Sequence, residues 1–221
     1  MNRAKITAVA FVAAPALLLV DNLLHPKEYE PGNEAEQLRA IADAYERWQI
    51  AHMLAFVAIL IIAVGVLGLA SLLHERRPRA ALWGGALGLA GLFGFASALT
   101  LDGFTWGILG ELSGRPGVDQ RTVQLSLDEI QNSAWSLPYY LTATGYILGL
   151  LILAAGAARS ELISPLAAGL LVVAVVMTGT ETMIVSNAYF IAGSVVLLVA
   201  GAAVALSLWR VPESAAAWTS S

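Results

Sequence analysis

Cysteine is absent from this chain of 221 residues, histidine occurs three times, and only 13% of the residues are charged. Without thiols there can be no disulfide, no thiolate-held metal and no iron–sulfur cluster. Soluble domains carry about 25% charged and about 45–50% apolar residues. The shortage of charge therefore excludes a water-soluble enzyme of this length. In its place stand 58% hydrophobic residues and a mean hydropathy of +0.72, which excludes intrinsic disorder as well.

A bilayer-spanning helix needs roughly 20 mostly apolar residues. Six stretches qualify: Ile6–Leu24, Trp48–Leu73, Ala80–Leu101, Leu137–Ala158, Leu162–Ile184 and Ala188–Trp209. The last two form one apolar run too long for a single crossing, so the hairpin is placed in the polar stretch Thr180–Asn187. Arg3 and Lys5 ahead of the first run suggest a signal peptide, but Asp21 and Asn22 follow where small residues would mark a cleavage site. The span is read as retained. Residues 1–221 then form a single multi-pass domain of the cell membrane.

Lysine and arginine set the orientation. With the N-terminus inside, the inner face holds seven basic and three acidic residues, a net of +4. The outer face holds five basic and thirteen acidic residues, a net of −8, and the two faces together give the chain's −4. Both termini are expected inside. The outer segments carry helical signals of their own. Asn33 and Glu36 have capping-box spacing, and Ala35, Leu38, Ile41, Ala42, Tyr45 and Trp48 recur at helical intervals. An amphipathic helix is expected there, feeding into the second span, and another near Asp119–Ser133 after the turn Ser113–Gly117. The fold class is all-α: a six-helix transmembrane bundle, N-in and C-in, with amphipathic helices in its outer loops. Gly84, Gly85, Gly88, Gly91 and Gly94 stripe the third span at the spacing of close helix packing.

Ionisable groups inside a membrane cost roughly 2.5–3.5 kcal/mol each at a helix centre, which makes them functional candidates. Asp21, His25, His52, Asp102 and Glu181 fall at similar depth near the outer surface, contributed by different spans. Plainer roles stand beside these. His25 precedes Pro26 and suits a helix C-cap, and Asp102 marks the place where span three meets water. Glu181, flanked by apolar residues, is the chosen proton donor. Asp21 with His25 four residues on suits the base for the closing proton abstraction, or the orientation of a substrate polar group.

The candidate substrate-binding residues are Trp48, Gln49, Phe104, Trp106, Trp135, Tyr139, Tyr140, Tyr146, Asn187, Tyr189 and Phe190. An interfacial aromatic belt explains much of this set. Span four nevertheless carries more rings than anchoring requires, and aromatic faces stabilise cations. No phosphate-binding glycine loop, His-Glu-x-x-His motif or Gly-x-Ser-x-Gly elbow occurs. No metal or cofactor is assigned, although His25 and His52 with nearby carboxylates are chemically able to hold an ion. The few basic residues are used by topology, so no nucleic-acid partner is expected.

Glu46-Arg47-Trp48 with His52, followed by Leu67–Ala70 and Leu72–Arg76, resembles small bacterial six-helix integral membrane proteins of unknown function. In size, helix number and membrane-edge acids the chain is also similar to small integral-membrane terpene cyclases. That second resemblance implies proton-initiated cyclisation or isomerisation of an isoprenoid-bearing substrate, with Glu181, Asp21 or Asp102 as the acid. The alternatives are a non-catalytic binder or carrier of a lipid or small ion, or an accessory subunit docked through its glycine stripe. An aromatic-lined cavity containing an acid would favour the enzyme, and an exposed small-residue face the accessory role.

Overall fold

Long apolar runs that can satisfy their backbone only internally become helices. The computed structural model describes residues 2–26, 33–131, 136–180 and 186–211, with the backbone alone at 131 and 136–143. These residues form eight helices: α1 (Arg3–Leu24), α2 (Glu34–Asp43), α3 (Tyr45–His74), α4 (Pro78–Ser113), α5 (Gln120–Gln131), α6 (Ser136–Arg159), α7 (Pro165–Gly179) and α8 (Asn187–Trp209). No strand occurs among them. α1, α3, α4 and α8 are long and apolar enough to cross a membrane; α7 and the part of α6 from Thr144 onward are shorter apolar helices.

Side-chain register shows that neighbouring long helices run antiparallel. On α3, Gly68 meets Thr7, near the start of α1, and Gly65 meets Phe11. On α4, Gly84 faces Leu153 of α6, whereas Gly91 lies against the Tyr146 backbone. Asn22 near the end of α1 donates to Ser194 near the start of α8, at 2.7 Å. The bundle therefore has two distinct ends. Four glycines of the α4 stripe are buried inside it, Gly84, Gly88 and Gly91 closing on α6 and Gly85 on Ala70 of α3.

At one end the arginines hold loops together. Arg3, almost wholly buried, bonds Glu75 at 2.8 Å and Ser71 at 3.3 Å. Its guanidinium holds the Glu75 carboxyl below the ordinary value. Arg76 and Arg77 donate to the carbonyls of Ser160 and Arg159, satisfying orphan groups past the end of α6. Pro15 inside α1 cannot donate to Phe11, and Gly201 of α8 packs directly against that carbonyl. Only a residue without a side chain approaches so closely.

The other end carries a helical cap. α4 has 36 residues, about 54 Å at 1.5 Å per residue, far more than the ~30 Å of a hydrocarbon core. The sequence places its end at Leu101; instead the helix continues to Ser113. Gly107 and Gly110 on the extension let Trp48 and Ile41 pack onto it. Leu38 of α2 joins Val123 and Leu127 of α5 in a small second core, with Trp106 and Leu109 of α4 against it. Asn33 caps α2 as its spacing suggests, accepting from the Glu36 N–H at 3.3 Å and donating to its carboxylate at 2.7 Å. α2 breaks at Ala44 before α3 begins, so the two are separate helices. Asp119 caps α5, and the Thr122 hydroxyl and Arg121 N–H hold its carboxyl below the ordinary value.

Candidate functional site

Below the cap lies a cavity of about 340 Å³. Helical spacing builds its walls, since residues three, four or seven apart share a face. Trp48, His52, Ala55, Ile59 and Ile62 descend one face of α3. Trp106, Asp102, Leu99, Phe95 and Leu92 descend the facing side of the antiparallel α4. Leu18, Asp21, Asn22 and His25 come from α1 and its C-cap, and Asn187, Phe190 and Ser194 from α8. Tyr146 of α6, Thr178 of α7 and Gln37 of α2 complete it, with Ser186. Polarity is graded along the depth. Carboxyl, imidazole and amide groups sit under the cap; aliphatic side chains line the floor.

Three rings interlock at the polar end. Trp48 lies 4.6 Å from the ring of His25 and 4.3 Å from that of His52, and the two imidazoles are 5.0 Å apart. Trp48 is buried and donates its indole N–H to the carbonyl of Gly103 at 2.9 Å. His52 Nδ1 meets the Trp48 carbonyl at 3.0 Å, and Nε2 meets Asp102 Oδ2 at 3.3 Å. Both ring nitrogens thus face acceptors. A backbone carbonyl can only accept, so Nδ1 is the donor toward Trp48 and Nε2 is turned to the Asp102 carboxyl. Gly103 permits this, because a Cβ there would stand 2.6 Å from His52 Cδ2.

The structure brings together Asp21, His25, His52 and Asp102, together with Trp48, Trp106, Tyr146, Asn187 and Phe190. His25 also caps α1, its N–H bonding the Asp21 carbonyl at 2.8 Å. Asp102 stands inside α4, which runs on to Ser113, and its side chain is 46% exposed while it holds His52. Three expected binding residues are not in the cavity wall. Gln49 is exposed, about 100° around α3 from Trp48, and Phe104 is 70% exposed, two residues past Asp102 on the opposite face of α4. Tyr189 turns to Thr180, their hydroxyls 2.8 Å apart. Glu181 and Trp135 lie outside the described residues, as do the side chains of Tyr139 and Tyr140.

Sequence reasoning missed Gln37, Asn22, Thr178, Ser186 and Ser194. Gln37 stands four residues before Ile41 on the buried face of α2, so a polar residue at a core position was its signal. Among the described residues no group of three or more ligating side chains is arranged to hold a metal.

A second hollow, of about 580 Å³, lies between α3 and α4 on the outside of the bundle. It is lined almost wholly by apolar groups, including the exposed Leu60, Leu67 and Phe93. Ile59 and Leu92 belong to both hollows, so the wall between them is one side chain thick.

The arrangement can hold an amphipathic molecule, move a proton at its polar end and steady positive charge against aromatic faces. No protein-family model, curated protein or solved structure matches the chain.

Proposed function

We propose that the chain is a six-span, N-in and C-in integral membrane enzyme that acts on an isoprenoid-bearing lipid by proton-initiated cyclisation or isomerisation. The observation that carries this reading is the graded cavity, with acids and rings at one end and aliphatic walls at the other. Four helices of spanning length, with α6 and α7 packed among them, support the six passes. The buried glycine stripe gives no support to an accessory role, because it is already used within the bundle.

Asp21, only 7% exposed, is the proton donor to a substrate double bond. The resulting carbocation is held against Trp48, Trp106, Phe95, Tyr146 and Phe190 while a carbon–carbon bond forms or the double bond shifts. Asp102 takes up the closing proton, and His52 positions it. Proton gain and loss balance, so the product is an isomer of the substrate.

The test is turnover of prenylated phenols by the full chain in nanodiscs made with D₂O, where the reaction leaves one solvent deuterium on product carbon. Asp21→Asn should lower turnover by two or more orders of magnitude, the scale of lost general acid catalysis. Loss in Glu181→Gln alone moves the donor to Glu181. Full activity in both variants overturns proton initiation, and bound but unaltered lipid would mark a carrier.

A further inference from the structure

Glycine clasps the seam between α3 and α4 at two heights. Toward the arginine end, Gly85 lies on Ala70 and Gly88 on Val66, with 3.1 and 3.3 Å left for a Cβ. Toward the cap, Gly103 closes on His52 and Gly107 on Trp48. Small residues let helix backbones approach in this way. Gly88 and Gly103 stand about 22 Å apart along α4 at 1.5 Å per residue, and between them side chains close the seam. The α4 residues of the outer hollow, from Leu89 to Leu101, all fall in that interval. Ile59 and Leu92, each 4% exposed, face this hollow and the cavity at once. Side chains in a packed interior still hop between rotamers, so the two hollows can join while both clasps stay shut.

The outer hollow suits one kind of occupant. It lies within the stretches read as the second and third spans, and none of its described lining residues is charged. Its two hydroxyls are engaged within their own helix. Ser97 donates to the Phe93 carbonyl at 2.9 Å, and Thr100 to the Ala96 carbonyl at 2.8 Å. Hydrocarbon fits there, whereas the partners for a polar head lie across Ile59 and Leu92, in the cavity.

We propose that Ile59 and Leu92 form a side door through which a lipophilic ligand passes between the bilayer and the cavity, its tail lying in the α3–α4 groove on the way. This rests on the lipid-binding reading above and adds the route by which the site is filled. Ala63 and Ala96 line the groove and not the cavity, so they flank the route without touching the resting ligand.

The probe is a fluorine-labelled phenol with a C15 isoprenoid tail, added to the full chain in nanodiscs. Fluorine-19 exchange spectroscopy reads its bound fraction and its rate of exchange with the disc lipid together. Ala96→Leu fills the groove and should slow exchange about tenfold, the effect of about 1.4 kcal/mol on a barrier, at unchanged bound fraction. A route sets both rates alike and leaves the equilibrium alone. Ala63→Leu repeats the test if Ala96→Leu melts too low to measure. Leu92→Ala thins the door and should speed exchange by a similar factor. Unchanged rates in the folded variants overturn the door and leave entry to the polar end. A lowered bound fraction at an unchanged rate in the alanine variants overturns it too, because the groove is then part of the resting site. No bound probe in the parent chain overturns the proposal together with the lipid-binding reading.

Discussion

Gly103 acts through the space it leaves. Its missing Cβ makes room for the His52 ring, and its carbonyl receives the Trp48 indole. Gly103→Ala places a methyl group 2.8 Å from His52 Cγ, and overpacking of this kind costs typically 1–3 kcal/mol. The variant should melt lower and lose turnover, because the imidazole cannot stay beside Asp102. Combining it with His52→Ala supplies the check: the double variant should melt no lower than His52→Ala alone, and additive losses would contradict the packing argument. Residues of this kind were poorly legible in the sequence. Asp21 and His52 announced themselves as ionisable groups in apolar runs. Gly103 was one of 20 glycines, and Gln37 sat in a surface helix where glutamine is commonplace. Their significance comes from what faces them.

Among the elements, the α4–α6 seam shows how backbone contact replaces side-chain packing. Helix association in lipid rests on van der Waals contact, which small residues bring to the backbone itself. A Cβ at Gly149 would collide with the backbone of Gly88 and stand 2.8 Å from the Gly84 carbonyl. Gly149→Ala should therefore destabilise by about 1–3 kcal/mol. Gly169 on α7 has open space, with nothing within 4 Å of where a methyl group would stand, so Gly169→Ala should be neutral or stabilise by up to ~1 kcal/mol through helix propensity. Chemical denaturation in one detergent, with both variants side by side, separates seam from propensity. Hydropathy made most of the helix bounds legible: α1, α3, α6 and α8 lie close to their expected ranges. It ended the third span at Leu101, before Asp102, whereas α4 runs on to Ser113 through three further glycines. Those glycines are helical because α2 and α3 pack on them, a tertiary cause invisible in a local window.

For the whole molecule, charge asymmetry fixes the expected direction of insertion, +4 on the face of Arg3 and Arg76 against −8 on the face of the cap. The cysteine-free chain gives a blank background for labelling. Ser113→Cys and Ser214→Cys should react with an impermeant maleimide from opposite sides of intact cells, Ser113→Cys from outside; reaction from the same side would reverse or break the six-pass arrangement.

The thin wall made by Ile59 and Leu92 bears on how this protein must be measured. Beyond it lies an apolar groove; on the function proposed above its solvent is acyl chain, and a lipophilic ligand would partition there before reaching the cavity. The concentration that governs occupancy is then the ligand's mole fraction in the bilayer, and its amount per litre matters little. Inert phospholipid added at fixed ligand and protein becomes a diluent that empties the site, as water does for a soluble receptor.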